Sequence, residues 1–423
     1  MQRVFLLGFT VLALASAVLI AAPADVRIIA VEGEGAKYWP RWRGPSGQGD
    51  VAAGEYPDTW TAKSSVWKTA VPGRGNSSPI VWGDRIFLTT GYGNGEKLSM
   101  LAYSRADGKQ LWETFIPQSG VEYVHSKNGF ASATPATDGN LVYASFGRHG
   151  LFAFDFQGRL VWSHKFGILD NYHGPAGSPV LYKDRIFIFQ DANPAPGQTA
   201  FVGAFDKLTG RQLWMTPRRE TVGWGTAVVI NTGERDELVV SSQYRVAAYD
   251  PATGRELWTV RGNTYEVIPT PVVGHGLLFA SSGRAGPTIA IRPGGSGDVT
   301  GTHVAWSSPR GSPFVPSGLI VGDLLYLIND MQSILTVYEA ATGTLVYQDR
   351  LGVAIREGFS ASPVHVNGKV FFTNDDGQTF VVQAGRQFKL LATNELGEQT
   401  LASPALVDGT WYWRTATSLR AIR

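Results

Sequence analysis

Short runs of apolar and β-branched residues alternate with glycine-containing turns along most of this chain. One unit, which begins at Ser78, holds four such runs, at residues 79–82, 86–90, 98–103 and 110–115. Runs of this length bounded by turn residues are typical of β-strands. Four in succession predict one antiparallel sheet, which is the blade of a β-propeller.

A short turn separates the first two runs of each unit, and it recurs eight times. The spacing of roughly 40–55 residues is typical of propeller blades. Most of these turns suit two-residue hairpins, whose residues need positive φ. They are Gly83-Asp84, Asp138-Gly139, Lys183-Asp184, Arg235-Asp236, Gly274-His275-Gly276, Gly322-Asp323, Asn367-Gly368 and Asp408-Gly409.

A second repeat, Asp-x-x-Thr-Gly-x-x-x-Trp, ends several units. Its aspartate is expected to accept N–H bonds within the turn, and its glycine to adopt the left-handed conformation. We expect its tryptophan to pack between neighbouring sheets. The repeat positions are Asp206 and Asp250; Gly108, Gly158, Gly210 and Gly254; and Trp67, Trp112, Trp162, Trp214, Trp258 and Trp306, with Tyr347 and Leu391 in the sixth and seventh units.

The eighth unit is one strand short at the C-terminus, and Ser65-Val-Trp67-Lys-Thr carries the missing pattern. We therefore predict an all-β, eight-bladed propeller of four-stranded antiparallel blades whose ring is closed by an N-terminal strand, which removes exposed edges. A seven-bladed ring with an extra C-terminal hairpin is the alternative. The expected organisation is a signal peptide at 1–24, an extended segment at 25–64 and the propeller at 65–423.

The first residues have the pattern of a secretory signal. A positive charge at Arg3 precedes an apolar run to Ala22 and a group of small residues, as in signal peptides. An uncleaved membrane anchor is the alternative, since the run is long. We expect a periplasmic or secreted protein. It has no cysteine, so export brings no disulfide.

Charge is nearly balanced, with 37 basic and 35 acidic residues among 423. A nucleic-acid partner is not expected, because binding phosphates needs a concentrated basic patch. The histidines lack zinc-ligand spacing. Gly294-Gly-Ser-Gly-Asp298 lacks the Lys-Ser/Thr of a phosphate-binding loop and is interpreted as a plain turn. A Ser-His-Asp triad stays open, although no nucleophile-elbow motif supports it.

The tryptophan-ended repeat resembles that of pyrroloquinoline-quinone (PQQ) enzymes and of the propeller lipoprotein of the outer-membrane β-barrel assembly machinery. Three further stretches resemble the exported PQQ-binding-like β-propeller repeat proteins: WPRWRGPSGQG at 39–49, VWKTAVPGRG at 66–75 and AIRPGGSGDV at 290–299. The resemblance runs from about Tyr38 to the end. It implies the fold but little about activity, since propellers host catalysis, ligand binding and protein docking.

The resemblance to quinone enzymes implies a disulfide over the cofactor, a Ca²⁺ ion and an aspartate base. The disulfide is excluded here, and Ca²⁺ takes six to eight oxygen ligands. The acidic candidates Glu122, Glu220, Glu266 and Glu357 are scattered along the chain. We therefore expect no cofactor and no metal, with PQQ and Ca²⁺ as the alternative.

The connections between blades lie on one face of a propeller, and here they are rich in polar and aromatic residues. Each such residue taken singly is more simply a loop residue. Together they predict a binding face around the central channel. The candidates are His125, Lys127, Asn128, His173, Arg219, Trp224, Glu266, Arg310, Arg356 and Glu357.

We predict a non-catalytic, exported platform for a protein or small-molecule partner, which binds the loop face or adds a strand to a blade edge. The alternative is a PQQ-dependent oxidoreductase acting on an alcohol or sugar. A hydrolase or lyase that acts on polysaccharides is a third hypothesis. The segment from Trp39 to Pro45 is interpreted as a strap on the propeller, or else as a docking peptide.

Overall fold

The computed structural model describes residues 26–51, 53–117, 123–167, 171–193, 199–282, 284, 286–352 and 358–423. Within them the chain forms eight sheets, the blades of a β-propeller, as the repeat predicts. Two 3-10 helices span Gly33–Lys37 and Gly147–His149, and one α-helical turn spans Thr300–His303. No helix of the described part is long and apolar enough to cross a membrane. The predicted signal peptide lies outside the described residues.

The first four blades follow one another along the chain, each with its strands in sequence order. Blade 1 contains Ile80–Trp82, Arg85–Tyr92, Lys97–Ser104 and Gln110–Phe115. Blade 2 contains Ala136–Thr137, Leu141–Ser145, Leu151–Asp155 and Leu160–His164. Blade 3 contains Val180–Tyr182, Arg185–Gln190, Phe201–Asp206 and Gln212–Pro217. Blade 4 contains Val228–Asn231, Asp236–Ser242, Arg245–Tyr249 and Glu256–Arg261, with the extra strands Arg27–Ile28 and Gly297–Asp298 at its two edges.

The remaining blades repeat this order, and the last is completed from the N-terminus. Blade 5 contains Val272–Gly274, Leu277–Ser281, Thr288–Ile291 and Val304–Ser308. Blade 6 contains Leu319–Val321, Leu324–Asn329, Ile334–Glu339 and Leu345–Arg350. Blade 7 contains Val364–Val366, Lys369–Thr373, Gln378–Gln383 and Leu390–Glu395. Blade 8 contains Ala405–Val407, Thr410–Arg414, Ser418–Ile422 and Ser65–Ala70.

The closing strand confirms the predicted ring. Ser65–Ala70 pairs antiparallel with Ser418–Ile422, with Thr69 opposite Leu419. The seven-bladed alternative is therefore wrong. The first strand of each blade lines the central channel, and the fourth forms the outer edge. The connections between blades define the loop face, and the first hairpins define the opposite hairpin face, where residues such as Gly83 and Asp408 have positive φ.

A ring of hydrogen bonds joins all eight blades at the channel. One Ser or Thr precedes the first strand of each blade, and its backbone N–H donates to the hydroxyl of the next blade's Ser or Thr. The eight distances lie between 2.9 and 3.3 Å. The cycle closes, because the last member donates to the first. In order, its members are Ser78, Thr134, Ser178, Thr226, Thr270, Ser317, Ser362 and Ser403.

The tryptophans dock neighbouring blades through glycine. A Cβ on Gly210 would stand 2.4 Å from the Trp162 ring, and the φ of Gly210 is +71°. The indole Nε1 donates to a carbonyl of the same turn, Lys207 O, at 3.0 Å. The same arrangement joins Trp67 to Gly108, Trp112 to Gly158, Trp214 to Gly254 and Trp306 to Gly343. Each of these turns therefore accepts an indole because it has no side chain there.

The aspartates of these turns satisfy the local backbone. Asp206 accepts from the N–H groups of Leu208 and Thr209. Asp250 accepts from the N–H of Ala252 and from the Thr253 hydroxyl. These bonds hold the turn that presents the glycine to the indole.

Blades 4, 6 and 7 depart from the pattern. In blade 6, Tyr347 takes the tryptophan position, as predicted, and pairs with Val337. In blade 4, Trp258 is fully buried, but its Nε1 donates to Glu237 Oε2 at 2.7 Å, because an insertion replaces the tight turn of blade 5.

In blade 7 the predicted assignment of Leu391 is wrong. Ala392 pairs with Val381 in the tryptophan register, and Leu391 is the bulge residue before it. A bulge shifts the register by one residue, which the sequence spacing did not reveal.

The insertion of blade 5 contains the glycine-rich stretch that we interpreted as a plain turn. That interpretation is wrong in part, since Gly297–Asp298 forms a parallel pair with the outer strand of blade 4. Residues 292–303 thus cross to the neighbouring blade and cover its edge.

The N-terminal segment crosses the hairpin face. Arg27–Ile28 pairs with the first strand of blade 4. Trp39, which is 2% exposed, forms a bridge to Val81 of blade 1, and Asp50 forms one to His365 of blade 7. The segment therefore ties together blades that lie far apart around the ring.

Gly210→Ala is expected to destabilise the protein by about 2–4 kcal/mol, because the methyl group meets the Trp162 ring and the backbone is left-handed. Gly368→Ala is the matched control, since it has the same φ of +71° and open space around its Cβ. It should cost only about 1–2 kcal/mol. Denaturant unfolding measures both, and equal losses would contradict the indole docking.

Thr134→Val is expected to cost about 1–3 kcal/mol, because it leaves the buried amide of Ser78 without an acceptor at nearly constant volume. Thr134→Ser keeps the hydroxyl and should cost at most about 1 kcal/mol. Denaturant midpoints of the two variants provide the comparison. A Val variant as stable as the Ser variant would show that the channel ring contributes little.

Candidate functional site

The channel opens on the loop face into a mouth cavity of about 230 Å³. Its walls come from the connections between blades, and the hydroxyls of the channel ring lie below them. Among the predicted site residues, five line this cavity: His125, Lys127, Asn128, His173 and Trp224.

The N-terminal segment forms the floor of the mouth. Trp42 lines the cavity from the hairpin side, and its Nε1 lies 3.3 Å from Thr270 Oγ1 of the channel ring. The neighbouring Arg43 is 2% exposed and donates to the carbonyls of Gly318 and Gln48. The described residues thus show a channel that is blocked at its lower end.

Three aromatic rings form one wall. The rings of His125 and His173 lie 4.7 Å apart, and His173 stacks on Trp224 with centroids 5.5 Å apart. Trp224 Nε1 donates to Asn171 Oδ1 at 3.0 Å and to Gly174 O at 2.9 Å. Burial and the neighbouring His125 lower the pKa of His173. This shift favours the neutral form of the His173 ring, which stacks on Trp224.

Glu266 is held by three side chains. Tyr172 donates its hydroxyl to Glu266 Oε1, and His173 Nε2 lies 3.8 Å from that oxygen. Arg284 Nε lies 3.5 Å from Glu266 Oε2, and its guanidinium covers the Phe314 ring at 5.5 Å. Burial and Glu266 raise the pKa of Tyr172. This carboxylate is thus already engaged by Tyr172 and Arg284.

Lys127 reaches the opposite wall. Its Nζ lies 2.8 Å from Asp375 Oδ2 of blade 7, and both side chains are largely buried. Asn128 Nδ2 donates to His173 O at 2.7 Å, which ties the first connection to the second. Burial raises the pKa of Asp375, and Lys127 opposes that shift.

Asp330 is a buried carboxyl behind the Phe314 wall. It is 2% exposed and accepts from the N–H of Phe314 at 2.8 Å and of Val315 at 3.3 Å. Burial raises its pKa to about 6. Asp330 therefore orients this wall. Above a pH of about 6 its side chain is ionised, and burial makes that charge unfavourable.

The other predicted residues lie elsewhere. Arg219 and Arg310 are exposed on the loop face and do not line the mouth. Glu220 is buried beneath that face with Arg218 and Arg245 at 3.2 and 2.5 Å, in a structural ion network. Glu122, Arg356 and Glu357 lie outside the described residues.

The sequence analysis missed three residues that shape the mouth. The second hairpins of the blades also reach the loop face, and Arg284, Asp330 and Asp375 come from these hairpins. The repeat itself held a signal for the channel ring, since six of its members precede proline: Ser78, Thr134, Ser178, Thr270, Ser362 and Ser403.

A second cleft of about 870 Å³ opens beside the mouth, between blades 8 and 1. His125, Lys127 and Asn128 line both spaces. Tyr123, which is 70% exposed, stands at the edge of this cleft. The mouth and the cleft form one continuous concave surface.

The residues of the mouth do not fit a quinone with Ca²⁺. Among the described residues, the carboxylates of Glu266, Asp330 and Asp375 lie near it, and each is bonded to protein groups described above. The described chain brings together no group of three or more His, Asp or Glu that could hold a metal ion. The space over the Trp224 ring is taken by His173. The donor set of the described residues thus lacks the converging oxygens that Ca²⁺ needs.

The fold and repeat define this chain as a propeller of the PQQ-like repeat class. A family model described as outer membrane protein assembly factor BamB matches residues 39–193, 129–344 and 198–421, and the chain belongs to this family.

The similar proteins have diverse names. A tetrathionate hydrolase of Acidithiobacillus ferrooxidans is 22% identical over 84% of this chain and 67% of its own length. The assembly factor BamB of Burkholderia pseudomallei is 24% identical over 75% of this chain and 79% of its own. The solved structure of a europium-containing methanol dehydrogenase covers 89% of each chain, with 12% identity and a TM-score of 0.65. That likeness shows the fold alone.

Asp330→Asn is expected to change how stability depends on pH. The raised pKa means that the folded wild type holds a proton more tightly than the unfolded chain, so it loses stability as pH rises from about 4 to 6. The Asn variant should lack this loss and gain about 2 kcal/mol over wild type between pH 4.5 and 7.5.

Urea unfolding at the two pH values measures this gain. Asp323→Asn, whose side chain is 76% exposed, is the control and should follow the wild type. The same change in unfolding free energy between the two pH values in Asp330→Asn and wild type would contradict the role assigned to burial.

Proposed function

We propose that this protein is an exported, non-catalytic propeller whose loop face binds a partner protein. The observation that carries this proposal is the pairing within the mouth. Glu266 and Asp375 are each engaged by a cation, and Asp330 by backbone amides. Such groups shape a surface, whereas a general acid or base needs an open approach to its substrate.

Exposed apolar side chains on the same face support a protein partner. Tyr123, Tyr244, Tyr265 and Met331 are 70, 57, 47 and 64% exposed, and all four stand on connections or second hairpins. Tyr244 and Tyr265 also contact each other edge to face, with centroids 6.3 Å apart. Tyrosine and methionine are enriched at protein interfaces, and buried aromatic anchors carry much of the affinity there.

The shape of the face suits a chain segment with an anchoring side chain. The cleft beside blades 8 and 1 is wide enough for a loop or strand, and the mouth next to it has room for one large side chain. The apolar wall of Trp224 and Phe314 would contact that side chain, while the channel hydroxyls offer hydrogen bonds below it.

The name of the family supports an assembly role. The matching family model and one relative carry the name of an outer membrane protein assembly factor. The dehydrogenase likeness concerns the fold, and the described residues of the mouth do not form a donor set for a quinone with Ca²⁺. The signal pattern of the first residues supports an extracytoplasmic address.

The test compares immobilised wild type with the variant His125→Ala/Lys127→Ala/His173→Ala in capture from an extracytoplasmic extract. The variant removes one wall of the mouth and the pair with Asp375, so we expect at least about a tenfold loss of the captured partner, as for an interface centre. The control variant His275→Ala/His303→Ala/Lys109→Ala lies away from the loop face and should capture as wild type does. Equal capture by all three proteins would refute the loop face.

The oxidoreductase alternative is addressed by melting temperature. Addition of PQQ with Ca²⁺ in excess should leave the melting temperature unchanged. A tightly bound cofactor would stabilise the folded state by several kcal/mol, and such a shift would contradict the proposal.

A further inference from the structure

The outer edge of blade 4 already binds an extended segment of the chain. In the parallel pair, Gly297 lies opposite Trp258 and Asp298 opposite Thr259. Val299 N donates to Thr259 O at 2.9 Å. An outer edge of this propeller is therefore able to accept an added strand.

Side chains also hold the added strand. Leu257, the bulge residue of blade 4, is 5% exposed and belongs to the same apolar cluster as Val299. Arg261 Nη2 lies 2.5 Å from Asp298 Oδ2, and Arg261 N donates to Thr300 Oγ1 at 2.9 Å. The edge thus recognises a carboxylate followed by an aliphatic residue.

The outer strand of blade 2 has an aliphatic, an aromatic and a basic residue at the same three positions. No described strand pairs with this edge. Its residues 161–165, Val-Trp-Ser-His-Lys, match residues 257–261 of blade 4, Leu-Trp-Thr-Val-Arg. Both tryptophans pair with an alanine in the same bulged register. Val161 is 49% exposed, and Lys165 is exposed as well.

The other outer edges lack this set. In blades 3 and 5 a proline at or directly after the end of the outer strand takes the position of the basic residue. Proline has no N–H to donate, so it disfavours an added strand. In blade 6 the arginine at this position donates to a backbone carbonyl of its own blade. The residues there are Phe115, Pro217, Pro309, Arg350, Glu395 and Ala70 in blades 1, 3, 5, 6, 7 and 8.

We propose that the outer edge of blade 2 binds an extended segment of a partner protein, parallel to the outer strand, that carries an acidic residue followed by an aliphatic one. The carboxylate pairs with Lys165, and the aliphatic side chain covers Val161. This surface is separate from the loop face. A second copy of this chain is not the occupant, because its own insertion is held on its blade 4 at high effective concentration.

The probe is a fluorescent synthetic peptide with the sequence of residues 292–303, RPGGSGDVTGTH, titrated with the full-length protein in low salt. We expect saturable anisotropy with a Kd in the millimolar range or tighter. Val161→Asp should weaken binding at least about tenfold, since it places a charge in the apolar contact. Leu111→Asp at the blade 1 bulge, 47% exposed, is the matched control and should bind as wild type.

A charge swap tests the ion pair. Lys165→Glu should weaken binding about two- to fivefold, as for an exposed pair. A peptide with lysine in place of the aspartate should bind this variant better than it binds the wild type. A lysine that only protects the edge from aggregation would give no such rescue, and that result would overturn the proposal.

Two other outcomes would also overturn it: no binding at the highest protein concentration, or equal losses in Val161→Asp and Leu111→Asp. Both substituted residues are exposed, and melting temperatures confirm that the variants fold. The triple loop-face variant should bind the peptide normally. Failure of the peptide experiment therefore leaves the loop-face proposal standing, and failure of that proposal leaves this one standing.

Discussion

The channel ring is the constraint on which the architecture depends. Eight backbone amides donate to eight hydroxyls in a closed cycle, so each first strand is held at the same height and radius as its neighbours. A cycle of this kind exists only when the last blade meets the first. The strand Ser65–Ala70 completes that last blade, and it links the N-terminal and C-terminal parts of the chain. Ring closure and the channel geometry are thus one property.

The indole–glycine contacts act further out and in the same direction around the ring. In five of the eight blades they join the blade to the next one through one large ring and one missing side chain. Where the tight turn is replaced by the insertion of blade 5, the contact is lost, and Trp258 turns to Glu237 of its own blade. The insertion covers the edge of blade 4 instead. Blade 4 therefore shows that the tight turn of the repeat normally docks the indole of the preceding blade. It also shows that the repeat leaves the outer edge of a blade open.

The mouth illustrates how a rigid ring can carry variable chemistry. Its contacts join residues far apart in sequence, such as Lys127 with Asp375 and Tyr172 with Glu266. The scaffold brings the connections of all blades to one face, and the loops then pair their charges locally. These paired charges, with a buried Asp330 behind one wall, are the basis of the proposed recognition role. Assembly names and enzyme names among similar propellers agree with a scaffold that does not itself define activity.

The sequence alone determined the blade number, the strand order, the turns and the closing strand, because these follow from local periodicity and from a repeat that counts its own copies. It also placed five residues of the mouth, since connections of a propeller share one face. Only the tertiary structure decided the rest. The bulge exchanged Leu391 for Ala392, the second hairpins supplied Arg284 and Asp375, and the glycine-rich stretch joined another blade. Each of these depends on contacts between distant parts of the chain, whose energies no local pattern encodes.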